Sequence, residues 1–193
     1  PKNRSMLKPF QRQLENGEVD WRLAYSVQDN RKPAKQHSFY TFEAAPTKKG
    51  YRLIWVLSTA KAEQDQKTRE RRLDKAEADL TKIAGKLNRY KLKTRTQIKA
   101  AVARATKNVQ GLLDIEILEY EETYTKKVGA GKPGPNSIYE EYTEITYKLK
   151  WQRDPSAIYK QALADGTFPI ITNTAMNCAE ALRSYKQQPR LEK

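Results

Sequence analysis

Cysteine and histidine are nearly absent from this sequence of 193 residues, which contains one of each, Cys178 and His37. A single cysteine excludes an internal disulfide and a cysteine-based zinc cluster. A serine–histidine–aspartate triad would have to use His37, which lies in "AKQHSFYTF" with no nucleophile motif near it. We therefore expect His37 to be an ordinary strand histidine rather than a catalytic one.

Long hydrophobic runs are also absent. The longest, "LIWVL" at Leu53–Leu57, is far shorter than the roughly 20 residues that span a bilayer, and it predicts a buried strand. The sequence shows no basic-then-apolar leader. We expect a cytoplasmic protein with no membrane partner.

A nucleotide-binding P-loop is likewise excluded. The stretch "TKKVGAGKPGPNS", Thr125–Ser137, is rich in glycine and proline, but Lys132 is followed by Pro133 and then by a strand pattern. A P-loop needs G-x-x-x-x-G-K-[ST] between a strand and a helix. The stretch predicts a mobile, exposed loop in which Lys132 contacts a DNA backbone.

Positive charge is what the sequence has in excess, with a formal net charge of +14. This balance favours a polyanionic partner, most often nucleic acid. Residues 59–108 hold 15 Lys and Arg against 6 Asp and Glu, a net of +9, whereas residues 109–154 hold 6 against 9, a net of −3. An ordinary solvated helix surface gives the same pattern, so both interpretations stay open.

Hydrophobic periodicity predicts an α+β fold. A helix ending near Gly17 is followed by three strands, at Trp21–Val27, "HSFYTF" and "YRLIWVLS". A helical stripe then predicts an antiparallel helical hairpin at about residues 61–108. Its members are Leu73, Ala76, Leu80, Ile83, Leu87 and Tyr90, then Ile98, Ala101 or Val102, Ala105 and Val109.

Alternating residues predict a β-hairpin at about residues 112–151. Its strands are centred on Leu113–Ile117 and Ile145–Trp151. A helix follows, with Asp154 as its N-cap and Gly166 at its end.

The C-terminal region then predicts a strand and a helix. "TFPIITN" is typical of a short apolar strand. The last helix is predicted to start with a capping box of Asn177 and Glu180.

The C-terminal stretch "DGTFPIITN", followed by a helix with "YKQQPRLEK", resembles the end of the catalytic region of bacterial insertion-sequence transposases of the DDE type. "GYRLIWVLSTAKAEQDQKTRERRLDKAEADL" and "GKPGPNSIYEEYTEITYKL" are similar to the same group, so the resemblance covers most of the chain from about Phe10. The signature of the group is a tyrosine, an arginine, a glutamate and a lysine, spaced by two, three and six residues. Tyr185 and Glu192 fall on the tyrosine and glutamate positions, Gln188 replaces the arginine, and the lysine position lies beyond Lys193.

The resemblance implies a ribonuclease-H-like catalytic fold in which two aspartates and one glutamate hold two divalent ions, Mg²⁺ or Mn²⁺. These ions activate water or a DNA 3′-hydroxyl for attack on a phosphodiester. It makes Glu192 the catalytic and metal-binding residue and places both aspartates upstream of Pro1. Residues 1–172 would be a β-rich insertion carrying the helical hairpin, and residues 173–193 the truncated glutamate-bearing helix of the core.

The chain would therefore be a transposase fragment that is inactive alone. The resemblance implies transposon ends and target DNA as partners, a homodimer in the complete enzyme, and the nucleoid of a bacterial cytoplasm as its location. The resemblance implies that Tyr185 contacts DNA near Glu192; otherwise Tyr185 fits a half-buried helix residue. Lys186 and Arg190 are expected to contact DNA there as well, because cationic side chains neutralise phosphate charge. Lys186 and Arg190 equally fit a solvated helix end.

Two other functions fit the residues. One is a non-catalytic basic protein that binds nucleic acid, and the other is a partner-binding module built on the helical hairpin, whose stripe could pair between chains.

Overall fold

The computed structural model describes residues 4–29, 34–89 and 91–188, and over these ranges the fold is α+β with antiparallel sheets. The helices are α1 (Arg4–Glu15), α2 (Thr59–Ala84), α3 (Arg95–Ala105), α4 (Pro155–Ala162) and α5 (Cys178–Gln187). The strands are β1 (Arg22–Gln28), β2 (Gln36–Ala44), β3 (Arg52–Ser58), β4 (Leu113–Lys127), β5 (Tyr139–Arg153) and β6 (Thr167–Thr172). None of the helices in these ranges is long and apolar enough to cross a bilayer.

The chain forms two compact units. Unit 1 contains Pro1–Glu70 and Ser156–Lys193, and unit 2 contains Arg71–Pro155. This division is defined by the contacts that residues make within each unit. The division predicted at residue 172 comes from the transposase resemblance and stays a prediction.

Unit 1 is built on a four-stranded antiparallel sheet in the order β1-β2-β3-β6. Its β3 strand is buried on both faces, and Ile54, Trp55 and Val56 are at most 1% exposed. This confirms the prediction for the "LIWVL" run, because a strand with consecutive apolar residues needs cover on both sides.

Helices cover the two faces of this sheet. On one face, Leu182 of α5 packs in a buried cluster with Phe39, Val56 and Ile170. On the other face, Phe10 of α1 stacks on Trp55 with ring centroids 3.8 Å apart. The result is a three-layer arrangement that fixes α5 against the sheet.

A narrow crossing point within unit 1 joins the end of β3 to the start of β6. Gly166 has φ +73°, and a Cβ there would lie 2.5 Å from the Ser58 carbonyl oxygen, so only glycine fits. The Gly166 N–H donates to the Asp65 carboxylate at 2.9 Å. Arg69 donates to both carboxylate oxygens of Asp165 at 2.7 Å. These bonds join the start of α2, which follows β3, to the residues directly before β6.

Unit 2 has a core that confirms most of the predicted helical stripe. Seven stripe residues are buried in this core, together with four residues that follow α3 or lie in the β-hairpin. The stripe residues are Leu73, Ala76, Leu80, Leu87, Ile98, Val102 and Val109, and the others are Leu112, Leu113, Tyr147 and Leu149. The predicted stripe continues beyond Ile83 to Leu87 and Tyr90, but α2 ends at Ala84, so Leu87 lies outside the helix, and Tyr90 lies outside the described residues. The physical reason is the turn that follows: Gly85 is a poor helix former, and Asn88 has φ 62°.

Asn88 also links this turn to β5. Its amide nitrogen donates to the Tyr147 carbonyl at 3.1 Å, and its amide oxygen accepts from the Tyr147 N–H at 2.8 Å. The next helix, α3, starts with a capping box formed by Thr94 and Gln97.

The β-hairpin of unit 2 matches the predicted span of about residues 112–151, but its strands extend beyond their predicted centres and into the predicted loop. Strands β4 and β5 pair over fifteen residues each, from Leu113 opposite Arg153 to Lys127 opposite Tyr139. Residues 125–127 of the predicted loop therefore belong to a strand. The outer half carries Glu, Thr and Tyr on both faces, so it lacks the apolar alternation that predicts a half-buried strand.

Candidate nucleic-acid interface

The last helix, α5, is capped at its N-terminus as the sequence predicts. The Asn177 side chain accepts from the Glu180 N–H at 2.9 Å, and the Glu180 carboxylate accepts from the Asn177 N–H at 3.1 Å. The capping box satisfies two backbone donors that a helix start leaves without intrahelical partners. The start of α5 is thus fixed.

The loop between β6 and α5 is held by one arginine. Arg52 on β3 donates to the carbonyl oxygens of Thr174 and Met176 at 2.9 and 2.7 Å. Its other nitrogens form a bidentate pair with Glu43 on β2, at 2.7 and 2.9 Å. The Arg52 bond lowers the pKa of Glu43, so the pair stays charged at neutral pH.

Sequence reasoning missed this arginine. Arg52 and Glu43 lie on neighbouring strands. Glu43 pairs with Ile54, which is two residues after Arg52 on β3. Opposite charges on two strands joined by a turn are a weak signal, and it becomes specific only when the strand register is known.

The exposed side chains of α5 rest on aromatic rings of the sheet. The Tyr185 ring lies 6.0 Å from that of Phe168, the Lys186 ammonium lies 4.6 Å from the centre of the Phe39 ring, and Arg183 lies 5.2 Å from that of Tyr25. Lys186 therefore has a packing role, through its cation–π contact, in addition to its predicted role on DNA. Lys186 and Tyr185 are nevertheless on the surface, so a DNA backbone can reach both.

Two signature positions border one groove. A groove of about 600 Å³ is lined by residues of β6 and by Ser184, Tyr185 and Gln188. Gln188 is the C-cap of α5. The tyrosine position of the transposase signature and its replaced arginine position thus lie on the same wall.

The remaining predicted site residues lie elsewhere. Glu192 and Arg190 fall outside the residues that the structure describes. Lys132 lies in the loop of the β-hairpin in unit 2, and its carbonyl oxygen accepts from the Lys127 ammonium at 2.9 Å. Of the predicted site residues that the structure describes, it brings together Tyr185 and Lys186.

The helical part of unit 2, residues 71–108, is densely basic. Residues 71–108 contain 12 Lys and Arg against 3 Asp and Glu, a net of +9, whereas residues 59–70 contain three of each sign. All twelve cations are exposed, and together they form what we call the basic helical surface. They are Arg71, Arg72, Lys75, Lys82, Lys86, Arg89, Lys91, Lys93, Arg95, Lys99, Arg104 and Lys107.

The three acids in this range neutralise only a small part of that surface. Asp74 and Glu77 bind Arg153 of β5, at 2.7 and 2.8 Å. Asp79 pairs with Lys82 at 3.0 Å. Arg95 pairs with Glu119 on β4. Ten of the twelve cations make no ion pair among the described residues, so their charge is available to a polyanion.

A metal site is not assembled by the described residues. Over residues 4–29, 34–89 and 91–188, no group of three His, Cys, Asp or Glu side chains is placed to hold an ion. The donor set for two Mg²⁺ or Mn²⁺ ions, at least three carboxylates in one cluster, is thus not met within these ranges.

Cysteine chemistry is also disfavoured. Burial raises the pKa of the Cys178 thiol, and its bond to Glu43 raises it further, so Cys178 is a neutral thiol at pH 7. His37 sits in β2 with its Nε2 3.2 Å from the Asp29 carboxylate, as an ordinary strand histidine would.

Comparisons with known proteins gave no match: no protein-family model, no curated protein and no solved structure is similar enough to this chain to be assigned.

Proposed function

We propose that this chain is part of a DNA transposase of the DDE type, in which α5 leads to the catalytic glutamate, Glu192. The observation that carries the proposal is the anchoring of α5 immediately before "QQPRLEK". Its capping box, the Arg52 bonds to the preceding loop and its buried Leu182 hold the helix on the sheet. A metal ligand must be held within about 0.5 Å of its working position, so the proposal requires that the anchoring of α5 also positions Glu192.

The proposal assigns the other two carboxylates and a ribonuclease-H-like core to sequence preceding Pro1. One carboxylate is too few for two divalent ions, so the chain alone would bind DNA without cutting it. The cations of the basic helical surface, with Lys186, would contact phosphates of the transposon end or the target.

The test of this proposal is the reading frame upstream of the Pro1 codon. We expect two strand-like segments in that frame, each with an aspartate placed to join Glu192. A frame without such segments would refute the assignment of Glu192, whatever the chain binds.

A second candidate, favoured by the twelve exposed cations, is a nucleic-acid-binding protein without catalysis. It requires only that duplex DNA binds unit 2. An electrophoretic shift over a salt series measures this, because each neutralised phosphate contributes about −0.9 to the slope of log K against log salt.

Charge reversal locates the binding surface. Reversing Lys86, Arg89 and Lys91 to glutamate should lower affinity steeply and reduce the salt slope by about 2 to 3. The matched control reverses Lys8, Lys48 and Lys49, which are exposed cations of unit 1. Equal losses in both variants would mean that net charge alone, rather than the basic helical surface, attracts DNA.

A further inference from the structure

The outer part of the β-hairpin is a two-stranded ribbon with solvent on both faces. We call residues 119–145 the arm. Large apolar and aromatic side chains are exposed along it, and Tyr124, Ile138, Tyr139 and Ile145 are each more than 40% exposed. Two-stranded ribbons are marginally stable in water, and exposed apolar surface of this kind is typical of an interaction site.

The charge of the arm is opposite to that of the rest of the chain. It contains six glutamates against three lysines, a net of −3. Because it repels phosphate, nucleic acid is a poor occupant for this surface. A cationic partner is the complementary one.

One face of the arm is arranged around two glutamates. Glu122 lies directly opposite Glu144 in the register. The neighbouring rows on the same face hold Tyr120 on one side and the pair Tyr124 and Tyr142 on the other, whose rings lie 6.0 Å apart. Successive rows on one face are about 7 Å apart, within reach of a single long side chain.

The two glutamates destabilise the free arm. Like charges directly opposite each other repel, and neither Glu122 nor Glu144 takes part in an ion pair among the described residues. A guanidinium placed between them would relieve the repulsion and could stack on a tyrosine ring. The same face already holds one cation in this way, since the Lys148 ammonium lies 4.7 Å from the centre of the Tyr120 ring.

We propose that this face of the arm binds an arginine or lysine from the basic helical surface of a second copy of this chain. The argument is charge complementarity: the arm has a net charge of −3 and residues 71–108 a net charge of +9. An arginine–glutamate contact between the same two surfaces is also present within the chain: Arg95 of the basic helical surface donates to Glu119 at the base of the arm at 3.0 Å. The inference does not depend on the proposed transposase function.

Sedimentation velocity of the whole chain tests the self-association. We expect a concentration-dependent dimer at about 0.05 M salt that dissociates at about 0.5 M salt, where the Debye length is roughly 4 Å. Glu122→Gln/Glu144→Gln should weaken the dimer about tenfold or more. The same variant should melt no lower than the wild type, because the cross-strand repulsion is gone.

The matched control is Glu121→Gln/Glu141→Gln, which removes the same charge from the opposite face of the arm. Its dimer should be weakened less than about threefold. Equal weakening by both variants would overturn the proposal, because net charge would then explain the association. A chain that stays monomeric up to about 0.2 mM at low salt would overturn it as well.

Crosslinking identifies the occupant independently of any variant. A zero-length carboxyl-to-amine reagent is applied to a mixture of ¹⁴N and ¹⁵N wild-type chains. We expect mixed-isotope links from Glu122 or Glu144 to lysines between positions 75 and 107. Intermolecular links from these glutamates only to other parts of the chain would refute the basic helical surface as the occupant.

Discussion

The Arg69–Asp165 ion pair gives the sharpest test of how unit 1 is closed. Both side chains are nearly buried, with 9% and 14% of their surfaces exposed. Arg69 donates to both Asp165 oxygens at 2.7 Å, while its Nε has no partner among the described residues. Asp165→Asn keeps the shape but leaves a buried guanidinium without its counter-charge. We expect a loss of about 3 to 5 kcal/mol in the free energy of unfolding.

A double-mutant cycle separates the pair from its surroundings. Arg69→Met/Asp165→Asn should recover much of the loss, because no buried charge is left unpaired, and the coupling energy should be about 2 to 3 kcal/mol. The control is Asp79→Asn, which breaks the exposed pair with Lys82 and should change stability by less than about 1 kcal/mol.

Urea unfolding followed by tryptophan fluorescence measures these changes. A Trp151→Phe background removes the unit 2 signal and leaves Trp21 and Trp55 as reporters of unit 1. A loss below about 1 kcal/mol for Asp165→Asn would refute the argument that this pair closes the crossing point.

Three further predictions follow from the same region and from α5. Gly166→Ala should destabilise unit 1 by at least about 3 kcal/mol in urea unfolding, because φ is +73° and the new Cβ meets backbone; an unchanged midpoint would contradict the crossing geometry. Burial raises the pKa of Asp65, but its bonds to Lys61 and Gly166 outweigh burial and lower it overall. The charged Asp65 therefore contributes stability above about pH 4 that is lost as pH falls further. Below that pH, the free energy of unfolding of Asp65→Asn should fall less steeply with pH than that of the wild type. Equal slopes for the two proteins would count against this role of Asp65. Asn177→Ala should cost about 1 kcal/mol by removing the N-cap of α5, and no change in thermal melting would show that the cap contributes nothing.

Where one face of an element is buried, the sequence was sufficient to predict that element. The run at Leu53–Leu57 and the helical stripe from Leu73 to Leu80 were confirmed because their side chains report directly on burial. The β-hairpin that contains the arm was predicted, but the full length of its strands was not, because both faces of the arm are in water and its alternation carries no apolar signal.

The candidate site was only partly accessible from the sequence. The capping box of Asn177 and Glu180 is local and was confirmed. The contacts of Arg52 with the loop before α5, and of Gly166 with Ser58, join positions that are distant in the chain. Such contacts depend on strand order and register, which no local pattern specifies.

The central claim, that α5 presents a catalytic glutamate in a transposase, is tested most directly by strand transfer in the complete reading frame. Glu192→Gln should abolish DNA cleavage and joining while leaving DNA binding unchanged, since only a metal ligand is lost. Glu180→Gln in α5 is the matched control, because glutamine also completes a capping box, and it should retain activity. Full activity of the Glu192→Gln enzyme would contradict the account.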